Sequence, residues 1–292
     1  MLPLLGRPLA PEKAAALLVA VAPAAWLAGL AYGGELGARP VTEAIRFSGD
    51  WALRLFWLVL LVSPARRILS APRLVRTRRI LGLGVFGLTV LHFGLYAFDQ
   101  QFDWARIGLE TLLRTYLTIG AVAMIALAVL AASSSDRAVA RLGGARWSRL
   151  HRWTYAIAAL SWVHFLLRSR TATFEPMLMF GLFVWLVGYR LIHRLVGDVT
   201  VAWLLGLAVA TAILTAATET GWHATATGVD AWRILLAHLD IASGLRPAWW
   251  VLIAGLIAAV AGALWRLPPQ RPMSRIRASY ATAGSKRGQS AS

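Results

Sequence analysis

The sequence predicts an all-α integral membrane protein, a bundle of about eight transmembrane helices with both termini in the cytoplasm. Three observations predict it. Hydrophobic residues make up 58% of the chain and mean hydropathy is +0.62, too apolar for a soluble domain around one core. Eight stretches approach the ~20 apolar residues that a spanning helix needs. The 30 Lys and Arg residues also alternate from one connecting segment to the next.

The eight stretches are 14–33, 49–63, 80–98, 116–134, 151–168, 175–193, 201–218 and 248–266. The first reads as a retained helix rather than a cleaved signal peptide, because its apolar run is long and no small-residue cleavage site ends it. The second is the shortest and carries Arg54. Between the second and third, an Arg-rich segment over 64–79 has Pro64 and Pro72 as breakers. A second basic segment, 135–150, follows the fourth stretch and holds Gly143 and Gly144. Residues 219–247 form the longest outer connection. There Trp232, Leu235, Leu236, Leu239 and Ile241 recur at helical spacing, which predicts an interfacial helix over Val229 to Leu245. From Pro268 the chain loses periodicity and reads as a disordered cytoplasmic tail.

With the first terminus inside, 21 Lys and Arg residues fall in inner segments and 8 in outer ones, with Arg54 inside a span. Ten of the 13 acidic residues fall outside. This is the positive-inside pattern, so the net charge of +17 reflects topology and attraction to the bilayer surface rather than nucleic-acid binding. The chain has no cysteine, which excludes thiolate-held iron–sulfur clusters, covalently attached heme and disulfides. No dinucleotide-binding or phosphate-loop fingerprint is present.

Ionisable residues inside a span are costly and mark candidate sites. His92 in the third stretch and His164 in the fifth each lie 13 residues beyond an inner helix start, near Arg79 and His151 respectively. At 1.5 Å per residue both rise about 20 Å from the inner face. Two imidazoles at one depth on parallel helices can ligate a single heme iron from opposite sides; the alternative is a pair of histidines bonded to carbonyls or hydroxyls across helices. The matched depth favours ligands. His151 lies at the inner end of the fifth stretch. A single metal ligand, a quinone or flavin contact and a satisfied interfacial histidine all remain open for it. The residue at its depth on the third stretch, Arg79, cannot ligate iron. Arg54, Arg114 and Arg168 can pair with heme propionates or snorkel to the interface. Gly82, Gly84 and Gly87 permit close packing against a neighbouring helix or a porphyrin. His193 reads as interfacial, and His223 and His238 as solvated loop residues.

An ordered series of short segments carries a resemblance to a known family. It comprises Leu36-Gly37-Ala38-Arg39-Pro40-Val41, Ser63-Pro64-Ala65-Arg66, and Arg76-Thr77-Arg78-Arg79-Ile80-Leu81-Gly82-Leu83 with Leu91-His92. It continues with Arg114-Thr115-Tyr116-Leu117-Thr118-Ile119-Gly120, Trp147-Ser148-Arg149-Leu150-His151 and His164. Over about 35–170 the chain resembles the MsrQ family, the heme-binding membrane subunits of bacterial protein-methionine-sulfoxide reductase systems, in the ferric-reductase-like transmembrane group. The resemblance implies an inner-membrane electron relay: heme b, with or without FMN, passing electrons from the quinone pool to a periplasmic molybdopterin reductase. It places His92, His151 and His164 on the family's functional histidines, and Arg54, Arg79 and Arg114 stand beside them as candidate cofactor contacts. Rival expectations are a heme-containing ferric or quinone reductase serving another acceptor, and a non-redox membrane transporter or structural protein. The family's six-helix unit would end near 195. The expected division is thus a heme domain over 1–195, a two-helix extension over 196–267 and the tail over 268–292.

Overall fold

The computed structural model describes residues 10–169 and 172–266, which are mostly helical, with no strand among them. The expected tail over 268–292 lies outside them. Six segments are long and apolar enough to cross a membrane: Pro11–Tyr32, Pro72–Asp99, Thr115–Ala132, Phe174–Val196, Val201–Ala226 and Pro247–Arg266.

The first of these is α1, Pro11–Tyr32, begun by a proline at its first position, where no intrahelical N–H is needed. Helix α2, Pro40–Ile68, also starts on proline and runs 29 residues. It is far longer than the 49–63 stretch because its outer half carries Glu43, Arg46, Asp50 and Arg54, which lower hydropathy without stopping a helix. Pro64 does not break it. A proline lacks the N–H that its i−4 carbonyl would accept, and that carbonyl, on Leu60, instead accepts from Nη2 of Arg190, whose Nη1 donates to the Leu186 carbonyl. The half-buried arginine thus replaces the donor that the proline removes. Pro72 does interrupt the chain, opening a 3-10 turn over Pro72–Thr77.

Helix α3, Arg78–Asp99, packs against α1 and α2. Of its four glycines, only Gly84 meets a neighbour: a Cβ there would lie 2.7 Å from that of Ala20 on α1. The short α4, Trp104–Leu113, is capped by Asp103, whose carboxylate accepts from the Arg106 N–H at 3.0 Å. Helix α5, Thr115–Ala132, follows. The inner segment expected as a loop holds two short helices, α6, Asp136–Leu142, and α7, Gly144–His151. They are separated by Gly143 at φ 73°, a left-handed conformation that suits glycine.

The fifth stretch therefore does not begin at His151. That residue ends α7, and the long helix, α8, is Thr154–Ser169. Helix α9, Phe174–Val196, ends at Gly197 with φ 77°. Two indoles tie it to its neighbours: Trp57 on α2 donates to the Met179 carbonyl at 2.8 Å, and Trp162 on α8 to that of Pro176 at 2.7 Å. Beyond it lie α10, Val201–Ala226, and α12, Pro247–Arg266, which pack on each other and on α9.

Between α10 and α12 the expected interfacial helix is only seven residues, α11, Ala231–Ala237, with a 3-10 turn at Ile241–Ser243. Asp230 caps it. Its Trp232, Leu235 and Leu236 are exposed, and so are Leu239 and Ile241, whereas Ile234 and His238 turn inward.

Candidate functional site

Helices α3 and α8 do not pack directly on one another. Each packs on a partner, α3 on α2 and α8 on α5, and a cavity of about 360 Å³ lies among the four. Helical spacing aims His92 and His164 into it from opposite sides. Their ring centroids are 6.4 Å apart and their planes nearly perpendicular, at 82°.

Each ring is fixed at one nitrogen. Nδ1 of His92 donates to the Ile45 carbonyl on α2 at 2.8 Å, with the Ser48 hydroxyl 3.4 Å away, and Nδ1 of His164 donates to the Tyr116 carbonyl on α5 at 2.7 Å. A carbonyl can only accept, so the ring proton sits on Nδ1 and the Nε2 lone pair is left for another partner. Metal-ligating histidines are held in this way, by a hydrogen bond from the far nitrogen that sets tautomer and ring direction.

Two glycines make room for the rings. A Cβ on Gly49 would lie 2.9 Å from Cε1 of His92, and one on Gly120 would lie 2.7 Å from Nδ1 of His164. Neither position tolerates a side chain while the rings stay put. Around the rings the lining is mostly apolar, with Leu53, Phe56, Val85 and Phe165 among it, and two cations, Arg46 and Arg168. Arg168 is also paired with Asp50 at 2.9 Å, which joins α8 to α2.

A heme fits these features. An imidazole nitrogen bonds a metal at about 2.0–2.1 Å and lies roughly 1.2 Å from its ring centre, so two coaxial rings on one iron stand about 6.4 Å apart. Two pinned imidazoles with unspent Nε2 atoms, an apolar cleft and cations suited to carboxylates make the donor set of a bis-histidine heme rather than of a hydrated metal ion.

The remaining candidate residues lie elsewhere. His151 is outside the cavity. Its ring stacks on Trp147 with centroids 4.0 Å apart, Nδ1 donates to the Trp147 carbonyl at 3.2 Å, and Nε2 lies 3.4 Å from the Ser134 hydroxyl. Burial lowers its pKa, the Trp147 carbonyl opposing and the Arg78 charge adding to the effect. Arg54 turns to Glu175 on α9 at 2.7 Å, Arg114 pairs with Glu110 one turn earlier, and Arg79 pairs with the exposed Asp136 at 2.6 Å. None of these three arginines lines the cavity; Arg46 and Arg168 do.

Nor are the two outer histidines solvated loop residues. His223 lies in the last turn of α10, its Nε2 2.9 Å from the Thr173 hydroxyl. His238 is 7% exposed and bonded at both nitrogens. The sequence reading missed Gly49, Gly120, Asp50 and Arg46. Gly120 stands in a family segment, and Asp50 is a carboxylate near the middle of the long α2. Gly49 and Arg46 carry no signal without the neighbouring helix.

Two pinned imidazoles across an apolar cleft between membrane-crossing helices define a class, and the comparisons agree with it. The ferric reductase like transmembrane component family matches residues 48–162. Relatives at higher resolution of kinship are the protein-methionine-sulfoxide reductase heme-binding subunits MsrQ of three bacteria. That of Caulobacter vibrioides is 41% identical over 174 residues, 59% of this chain and 83% of the relative. That of Azospira oryzae is 37% identical over 191 residues, 65% and 82%. That of Rhodospirillum rubrum is 35% identical over 181 residues, 62% and 87%. No solved structure matches. The chain belongs to the MsrQ family, and it is a multi-pass protein of the bacterial inner membrane.

Proposed function

We propose that this chain is a membrane b-type cytochrome that relays electrons from the quinone pool to a periplasmic molybdopterin methionine-sulfoxide reductase, in support of repair of oxidised envelope proteins. The reading rests above all on one observation: His92 and His164 face each other at 6.4 Å with each Nδ1 committed to a carbonyl. The relatives' description as heme-binding subunits supports it.

When bound, heme b supplies reversible one-electron chemistry. The chain's residues do the rest. His92 and His164 would hold its iron through Nε2, and the Ile45 and Tyr116 carbonyls keep the two rings from rotating. Arg46 and Arg168 stand where propionate carboxylates would be held. The apolar lining excludes water, which raises the cost of charge and so sets the potential. His151, at the inner ends of α5 and α8, is assigned the contact with the electron donor, a quinol or FMN.

The charge distribution supports eight spans with both termini in the cytoplasm. Helices α2 and α8 join the six apolar segments. Residues 1–195 then form the heme domain and 196–267 the extension. On this topology electrons move outward, toward the acceptor.

A reduced-minus-oxidised spectrum of the purified chain, expressed with adequate heme, is the test. A b-type difference spectrum is expected, with reduction by a quinol analogue and reoxidation by the periplasmic reductase. Heme-free folded protein would turn the reading to a transporter or structural role. A reducible heme that the reductase leaves reduced would turn it to a ferric or quinone reductase with another acceptor. A periplasmic reporter fused after Ser292 would overturn the topology.

A further inference from the structure

A second cavity, of about 290 Å³, lies at the other end of the molecule, where the extension meets the core. The ends of four long helices surround it. Arg67 and Ile68 come from α2, Tyr189 and His193 from α9, Val199 and Leu204 from either side of the start of α10, and Gly262 and Arg266 from α12. This is the face on which the basic connecting segments lie.

Three features of this cavity point to one chemistry. The first is charge. Arg67 and Arg266 line the cavity with His193, against a single carboxylate, Asp198, whose side chain is 82% exposed. Arg266 donates to Asp198 at 3.0 Å and to the Val199 carbonyl at 2.6 Å, both through Nη2, so other guanidinium donors are unspent. The Arg67 side chain makes no hydrogen bond or ion pair among the described residues.

The second is the start of α10. Its first intrahelical bond runs from the Leu204 N–H to the Thr200 carbonyl, and the Thr200 side chain caps nothing. The N–H groups of 201–203 are the orphan donors of a 26-residue helix, at the end that favours an anion. The third is the apolar surround: Ile68, Val199 and Leu204 are buried beneath the polar rim, while Leu195, Leu264 and Trp265 near it are exposed.

We propose that this cavity binds a phosphate ester. Guanidinium groups and helix N–H donors are the two commonest phosphate ligands in proteins, and basic clefts between helices on the cytoplasmic side suit anionic headgroups. The exposed Leu195, Leu264 and Trp265, close in sequence to lining residues, suit acyl chains, so the phosphodiester of an anionic phospholipid is one source and free phosphate the other. Bound there, the ligand bridges Arg67 of the core to Arg266 of the extension. The proposal is independent of the heme assignment.

Native mass spectrometry and thermal unfolding of the delipidated full chain test it, with three probes: phosphatidylglycerol, diacylglycerol with the same chains and no phosphate, and inorganic phosphate. Phosphatidylglycerol should form a retained adduct and raise the unfolding midpoint, and diacylglycerol should do neither. Arg67→Gln with Arg266→Gln should weaken the adduct about tenfold or more, one charge-assisted contact being worth about that factor. Arg67→Gln alone, at an exposed side chain without a partner, keeps the test sound if the double variant misfolds, and should weaken it about threefold or more. Stabilisation by inorganic phosphate that competes with the lipid would assign the site to free phosphate as well; no competition would assign it to the lipid. Equal binding of diacylglycerol, adducts unchanged in both variants, or no effect of either phosphate probe would each overturn the proposal.

Discussion

The four-helix cavity of the core and the outer end of the extension each withdraw histidines from solvent, and they treat the ring nitrogens differently. In the core, His92 and His164 each spend Nδ1 on a backbone carbonyl and turn Nε2 into open space. In the extension, Nδ1 of His238 donates to the Ile234 carbonyl at 2.9 Å and Nε2 lies 3.2 Å from a Glu219 carboxylate oxygen, so both ring nitrogens are engaged. Glu219, with its side chain 3% exposed, also accepts from Arg246 at 2.6 Å. The lesson is general: burial alone does not mark a ligand histidine. The mark is one nitrogen fixed and the other unspent beside a cavity. By that criterion the core holds a candidate cofactor site and the extension a structural polar cluster that staples α11 to α10.

The largest effect that can break this contrast is loss of the heme. His92→Ala and His164→Ala should each abolish or severely perturb the same low-spin b-type signal in electron paramagnetic resonance or magnetic circular dichroism. The near-perpendicular ring planes further predict the highly anisotropic form of that signal. His238→Ala, His223→Ala and His193→Ala should leave it in place. A native signal in either core variant would show that the ligand pair is wrong.

Next in size is Glu219→Ala. It leaves a buried histidine and Arg246 without their shared acceptor, a type of loss that costs about 3–5 kcal/mol. Thermal unfolding should start markedly lower while the heme spectrum of the folded fraction is unchanged. Heme loss in parallel with the carboxylate would tie the two regions together.

A smaller effect is expected at the glycines. Gly120→Ala and Gly49→Ala should displace the rings and shift the heme spectrum or potential, at about 1–3 kcal/mol for overpacking, with Gly120 the more sensitive. Gly82→Ala and Gly87→Ala, where a Cβ would meet nothing within 4 Å, serve as controls and should be silent. Equal responses at all four would remove the case that Gly49 and Gly120 seat the ligands.

The smallest expected change in heme content comes from two further variants. Truncation after Gly197 should retain the heme, because every side chain lining the cavity precedes that point. His151→Ala should likewise retain it but slow reduction by quinol. Partial heme loss in His151→Ala would make that residue a ligand, and unchanged reduction would leave it an interfacial histidine stacked on Trp147.

Much of this was legible in the chain. The six apolar segments follow from local composition, because a spanning helix declares itself by a run of apolar residues. The α2 helix was only half legible, since its outer half is amphipathic and its length depends on neighbours that cover Asp50 and Arg54. Pro64 looked like a breaker because the donor that rescues its helix, Arg190, is 126 residues further on. The start of α8 was misplaced at His151, since nothing local distinguishes one bent helix from α7 followed by α8.

By itself the sequence determined the all-helical membrane class, the positive-inside bias, the absence of thiolate chemistry and the identity of the histidines worth weighing. These are properties of residue type and spacing, which the bilayer reads directly. Only the tertiary structure decided which nitrogen of each ring is spent, that Gly49 and Gly120 seat the rings, and that Arg46 and Arg168 rather than Arg54 and Arg114 line the cleft. Those outcomes depend on contacts between residues 43 or more positions apart on different helices, and helix rotation sets them. A turn of ~100° per residue fixes the face that each side chain takes, but the packing of neighbouring helices decides which face looks into the cavity.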